Sequence, residues 1–349
     1  MDNLEKIQNE GGNPIEINPV KGSALFFRAF SFWQIAQLYA KPYTTSTAAQ
    51  NPGIPLRLKS DINEQSSRGT VQDTYSQIIQ DLTEALSLLP NTSTIVSSPN
   101  KTSAYAMLAR TYLSMQDYPK ALINANAALQ IKNTLLDYNT VSLFSPIPFP
   151  RFNNLEVIFH SVCGRSNILA PGIASTSIAK IDRTLVASYT INDLRRRIFL
   201  KANSGLHTGT FRFTGNYEPT TTSVFFNGLA VDELYLIRAE CYARAGNTTA
   251  AMKALNDLLF TRWTNGTYVN MTAATPAEAL SKILQERRKE LLMRGLRWSD
   301  LRRLNNTALE RKTDGDGAVV ATLPINNPRN TLLIPADVIN LSHISQNVR

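Results

Sequence analysis

The chain has 349 residues, a net charge of +9 and 18% charged against 43% hydrophobic residues, a globular balance that excludes disordered and collagen-like chains. Its two cysteines, Cys163 and Cys241, build neither a disulfide framework nor a cysteine-based zinc site, and three scattered histidines make no metal set, so no cofactor or metal is expected. No run approaches the ~18 apolar residues of a membrane helix, and the opening Met1-Asp2-Asn3-Leu4-Glu5-Lys6 lacks the apolar stretch of a signal peptide.

In chain order, residues 22–40 read as a helix so rich in apolar side chains (Phe27, Phe30, Trp33, Ile35, Leu38) that it must be buried on more than one face. Lys41-Pro42 stops it, and a loop with Pro52, Gly53 and Pro55 leads to a second helix from about Thr70 to before Pro90. An αα-hairpin follows: Ala104 to Leu113, a turn at Gln116-Asp117-Tyr118-Pro119, then Ala121 to Ile131, with Pro119 suited to the first helical position. The pattern returns at Leu236–Ala243, Ala245-Gly246-Asn247 and Ala250–Leu259. Ala109 matches Ala239, Tyr112 matches Tyr242 and Ala121 matches Ala251, each pair 130 residues apart. Such hairpins resemble divergent tetratricopeptide units.

Between the hairpins the texture changes. Pro146, Pro148 and Pro150 exclude a helix, residues 155–159 read as a short strand, residues 181–200 as helical, and residues 205–226 as loop and strand. The expected fold is mostly α, a divergent tetratricopeptide-like hairpin scaffold over 20–133 and 229–305. An irregular loop and short-strand insertion occupies 134–228, and an irregular C-terminal segment 306–349.

Several blocks, in order, carry a family resemblance. They are Lys21 to Phe32, Leu38-Tyr39-Ala40-Lys41-Pro42, Ala109-Arg110-Thr111-Tyr112-Leu113, Asn154 to Phe159, Asn192-Asp193-Leu194-Arg195 and Leu234 to Glu240. The most specific is Glu286-Arg287-Arg288-Lys289-Glu290-Leu291, Gly295 and Arg297-Trp298-Ser299-Asp300-Leu301-Arg302-Arg303, and the ending adds Ile334-Pro335 and Gln346-Asn347. Together these resemble the SusD/RagB family of outer-membrane nutrient-binding lipoproteins, over residues 20–347.

The resemblance implies a single SusD-like domain over 1–349. It implies a cell-surface protein that binds an oligosaccharide, delivers it to a SusC-like TonB-dependent outer-membrane transporter and has no enzyme activity. Two departures stand out. Arg294 and Leu296 replace residues common in the family, which implies that a local ion pair is absent, and the family's lipoprotein signal and acylated cysteine have no counterpart before residue 20. The chain therefore reads as a truncated form or as a gene model lacking its start, and the resemblance alone implies that its membrane contact in life is an N-terminal lipid anchor.

The residues themselves carry little catalytic signal. The basic stretch from Glu286 to Arg303 is interleaved with Glu286, Glu290 and Asp300, which favours structural ion pairing over nucleic-acid binding or acid catalysis. Asp314-Gly315-Asp316-Gly317 lacks the glycine and glutamate spacing of a calcium loop. Sugars need exposed aromatic platforms beside hydrogen-bonding side chains on loops held by a rigid scaffold. That rule selects Tyr43 and Asn51 in the loop over 41–57, and Arg165, Asn167, His207, Phe211 and Tyr217 in the insertion. Three rivals remain: a peptide-binding adaptor using the hairpin groove, a peptide-binding nutrient-uptake component, and a glycan-cleaving enzyme using two of Glu156, Asp182, Asp193 and Glu218.

Overall fold

The computed structural model describes residues 6–7, 9–61, 63–150, 154–164, 169, 179–218, 224–305, 308–312 and 318–349. The Asp314 to Gly317 motif lies outside them. The chain forms two compact units, one of Met1–Ile131, Trp298–Leu309 and Leu323–Arg349, the other of Lys132–Arg297 and Glu310–Thr322. Residues 134–228 thus share a unit with the second hairpin.

In the first unit, α1 (Pro14–Tyr39) starts a full two turns before the apolar run predicts. Asn13 caps it by accepting from the Ile15 N–H (3.1 Å), and Pro14 at the first position loses no hydrogen bond there. Leu25, Phe26, Ala29, Phe30, Trp33 and Ala36 are buried, forming two adjacent rows. Phe27, Ile35 and Leu38 form a third row that stays exposed.

A short antiparallel pair, β1 (Pro52–Pro55) with β2 (Arg68–Thr70), leads into α2 (Val71–Leu88). There Thr70 and Asp73 make a reciprocal capping box. Asp81 of α2 takes a bidentate pair from Arg28 at 2.7 Å.

The hairpin α3 (Lys101–Ser114) and α4 (Tyr118–Ile131) follows. It shares its hydrogen-bond plan with the second hairpin: Asp117 N–H donates to Tyr112 O at 3.0 Å, and 130 residues on, Asn247 N–H donates to Tyr242 O at 2.9 Å. Both turns need one left-handed residue at the equivalent place, Gln116 (φ 63°) and Gly246 (φ 80°).

The C-terminal segment of this unit closes the end of α1. A helix leaves its last carbonyls without partners, and here each finds one. Trp298 Nε1 and Arg302 donate to Gln37 O, Leu332 N–H to Leu38 O, Asn347 Nδ2 to Tyr39 O, and Arg302 also to Ala40 O. The Arg-Trp block and the Gln-Asn ending are therefore structural: one supplies the cap, the other ties down the extended segment around Leu332 that completes it.

The second unit opens with the proline-flanked run to Phe149. It then carries β3 (Val157–Phe159), β4 (Val162–Cys163), α5 (Arg183–Ser188), α6 (Arg195–Phe199), β5 (Leu200–Ala202), β6 (Phe211–Phe213), β7 (Phe225–Phe226) and β8 (Leu229–Ala230). All pairings are antiparallel, β3 with β8, β4 with β7 and β5 with β6.

The single helix expected over 181–200 is two short ones, because Tyr189 to Leu194 leaves the helix and Asp193 bridges to Trp263. The insertion has its own aromatic core. The Phe149 ring meets Tyr138, Phe199 and Tyr217 at centroid distances of 5.4, 6.4 and 4.7 Å. Gly215 is required against it, since a Cβ there would stand 2.1 Å from the Phe199 ring.

The second hairpin, α7 (Val231–Arg244) and α8 (Thr248–Phe260), is followed by α9 (Pro276–Glu290), capped by Thr275. Gly295 (φ 74°) turns the chain toward α10 (Arg297–Leu304). The rest comprises a two-stranded sheet of β9 (Leu309–Lys312) and β10 (Val319–Leu323), and a last short helix, α11 (Ala336–Ser342). No described helix is long and apolar enough to cross a membrane.

Candidate ligand-binding edge and the buried charge cluster

The second unit is organised around a buried cluster of charges. Arg262 donates to Glu290 (2.7 Å), Glu156 (2.6 Å) and the Leu136 carbonyl (2.8 Å), with its guanidinium 4.1 Å from the Tyr138 ring centre. Arg195 grips Asp193 with two hydrogen bonds (2.9 and 2.7 Å) and reaches Glu290 (2.9 Å) and Glu286 (2.6 Å). Lys289 bridges Glu286 (2.8 Å) and Asp193 (3.1 Å). Arg294 donates to Asp232 at 2.8 Å and lies over Tyr217, whose hydroxyl donates to Glu156 at 2.6 Å.

The ion pair expected to be absent at Arg294 is therefore present in another form, with Asp232 as its acid. Glu156, Asp232 and Glu290 bring their oxygens within 4.8 Å of one another, the geometry of a cation site. Arg262 and Arg294 already supply the positive charge there, so these carboxylates fit side-chain cations, not a metal ion. Burial opposes ionisation throughout, yet Arg262 and Arg195 hold Glu290 below the usual carboxylate range, and Arg195 and Lys289 do the same for Asp193. Asp232 goes the other way: burial, with Glu156 and Glu290 nearby, pushes it up to about 7 despite Arg294.

Of the acids considered for glycan cleavage, Glu156 and Asp193 are enclosed in this cluster, Glu218 is buried beside His160 (3.0 Å), and Asp182 caps α5. Each of these four carboxylates is held in a contact within the fold.

The candidate binding residues divide. Tyr43 is 7% exposed, with its hydroxyl on Gln72 (2.7 Å) and its ring edge-on to Tyr75. Tyr217 is 1% exposed and shared between Glu156, Tyr138 and Arg294. Neither can be a sugar platform, a correction with one cause: each ring is worth more in an aromatic core than in water. Asn51 is half-buried and staples its own loop, through Thr47 (3.0 Å) and the Val71 N–H (2.8 Å). Arg165 and Asn167 lie outside the described residues.

His207 and Phe211 do come together, on the β5–β6 hairpin. Ala202 pairs with Phe211, and Gly205 and Gly209 supply the positive φ values of its turn. Both side chains are half-buried, and Leu206 at the tip is fully exposed. Asn203 locks the hairpin through Thr210 (2.9 Å), and Lys201 ties β5 to the Leu143 carbonyl.

That tie places Phe144, 94% exposed, in a segment fixed to the same hairpin. Sequence reading passed over Phe144, although a phenylalanine in a proline-flanked run with no helical or strand pattern has no core face to occupy. The arrangement offers aromatic and polar groups on a braced edge, which suits binding.

Helical repeat hairpins here carry an insertion with its own aromatic core and an exposed aromatic edge. Comparison with known proteins makes the relationship specific. Residues 2–113 match the family model described as "Starch-binding associating with outer membrane", and residues 231–338 match the one described as "SusD family". The SusD-like protein P2 of Formosa agariphila is 25% identical over 92% of this chain and 74% of its own length.

Solved structures agree in fold. A SusD superfamily protein of Bacteroides thetaiotaomicron VPI-5482 superposes with a TM-score of 0.79 at 24% identity, over 99% of this chain and 82% of its own. Another from Bacteroides vulgatus ATCC 8482 gives 0.77 at 25%, over 99% and 81%. The chain belongs to the SusD/RagB family.

Proposed function

We propose that this protein captures an oligosaccharide at the outer surface of the outer membrane and hands it to a SusC-like TonB-dependent transporter, to which it is held by a lipid anchor and protein contacts. The observation that carries the reading is the match of residues 2–113 to a family described as starch-binding and associated with the outer membrane. The exposed edge of the second unit supports it: Phe144 and Phe211 offer apolar ring faces, and His207 and Asn203 lie on the same braced hairpin. Asn51, Arg165 and Asn167 remain further candidates for ligand contact. No catalytic step belongs to this role; the work is binding and release, so modest affinity and fast exchange follow.

The test is a glycan array followed by titration of the hits, and co-purification of a TonB-dependent barrel from the native membrane. Binding of an oligosaccharide that weakens in Phe144→Ala and Phe211→Ala supports the reading. Binding of peptides with no glycan hit contradicts it.

A further inference from the structure

A cleft of about 690 Å³ runs along α8 in the second unit. Met252, Asn256 and Phe260 follow at four-residue steps, so they share one face of the helix, and Thr249, Asn270 and Thr272 are among the other lining residues. The opposite wall is the chain returning after α8, and Asn256 clamps it. The Asn256 amide nitrogen donates to the Met271 carbonyl (3.0 Å), while its oxygen accepts from the Met271 N–H (2.9 Å) and the Tyr268 hydroxyl (2.6 Å). Lys282 holds Thr272 from the other side through its carbonyl.

The repeat shows that this cleft is not needed to build a hairpin. The residue 130 positions before Phe260 is Gln130, and the one before Lys253 is Ile123. Hairpin packing in α8 uses Ala251, Ala254, Leu255 and Leu258, while the Phe260 ring is 69% exposed.

The lining separates the ligand chemistries. A peptide adding a strand needs a free backbone edge, but the N–H and carbonyl of Met271 are both taken by Asn256. An anion needs surplus positive charge, and Lys253 is paired with Asp257 at 2.7 Å. A ring with an apolar face and a rim of hydroxyls fits: the face on Phe260, the hydroxyls toward Thr249, Asn270, Thr272 and the Lys253–Asp257 pair.

The geometry points to a second carbohydrate site on α8, for a neutral pyranose unit, with Phe260 as platform and Asn256 as positioning residue. Its ligand class rests on the carbohydrate reading above; its residues are separate from the β5–β6 edge.

The experiment titrates the full chain with maltohexaose, cellohexaose, xylohexaose and a sulfated heparin hexasaccharide, following the amide signals of Thr249, Asn270 and Thr272 by NMR. At least one neutral hexasaccharide shifts these signals; Phe260→Ala weakens that binding about tenfold and Phe260→Trp keeps it. Ile123→Ala, at the matching place on the first hairpin, leaves it unchanged. Asn256→Ala weakens it too, with unaltered circular dichroism. If no neutral sugar shifts these signals, if Phe260→Ala binds as wild type, or if the sulfated sugar binds here more tightly, the α8 site is refuted. Loss of glycan binding in Phe144→Ala or Phe211→Ala alongside such a result leaves the capture reading standing. Phe260-dependent binding indifferent to Phe144 and Phe211 keeps the α8 site and removes the hairpin edge from that reading.

Discussion

Asp232 sits where five carboxylates (Glu156, Asp193, Asp232, Glu286, Glu290) meet four cations (Arg195, Arg262, Lys289, Arg294). Its folded pKa of about 7 lies above the unfolded value. The stabilisation this gives is complete below the ordinary carboxylate range, roughly pH 4, and is lost as pH rises through 7. Glu290 and Asp193 act in the opposite sense, with stabilisation present above that range and lost as acid protonates them. Urea midpoints of the wild type should therefore fall between pH 5 and 8, and those of Asp232→Asn should fall less; equal slopes would show that Asp232 is not the titrating group.

Glu290→Gln leaves Arg262 and Arg195 each short of a charge, with an expected loss of about 3–5 kcal/mol in chemical denaturation. Tyr217→Phe removes one donor from Glu156 and should cost about 1–3 kcal/mol without touching ligand affinity. Tyr217 as a sugar platform was a misreading that local pattern could not prevent. The ring's partners lie 61 and 79 residues away, at Glu156 and Tyr138, and no spacing rule reaches that far.

At the scale of elements, the two hairpins were legible because their small residues recur at helical spacing, and the turn repeats down to its hydrogen bonds. Gln116 holds in one copy the left-handed φ that Gly246 holds in the other. Replacing Gln116 by Gly should stabilise the first unit by up to about 1 kcal/mol, read as a rise in melting temperature. The break in residues 181–200 was not legible, since Asp193 leaves its helix to reach Arg195, Lys289 and the Trp263 backbone, a tertiary demand stronger than propensity. The closing of α1 by Trp298, Arg302, Leu332 and Asn347 was legible only as a resemblance, because a cap supplied from 261 to 308 residues away leaves no local signature. Asn347→Ala removes bonds to the Tyr39 and Leu332 carbonyls (2.9 and 2.7 Å) and should cost about 1–2 kcal/mol, with earlier hydrogen exchange at the end of α1.

For the whole molecule, the charge of +9 has changed meaning. Much of its densest stretch is internal: Arg287, Lys289, Arg294, Arg302 and Arg303 are all buried, and burial alone lowers Arg302 to about 10. They hold acids and helix ends, which leaves less cationic surface for an anionic partner than the sequence implied. Phe144 and Phe260 stay outward, and an exposed ring face is the surface a sugar ring uses. The most direct test of glycan capture is calorimetric titration of the chain with the oligosaccharides that score on an array. The account predicts saturable binding to at least one neutral oligosaccharide, weakened about tenfold or more when Phe144 and Phe260 are both replaced by alanine. Equal affinity in that double variant, or no glycan binding at millimolar ligand, would contradict it.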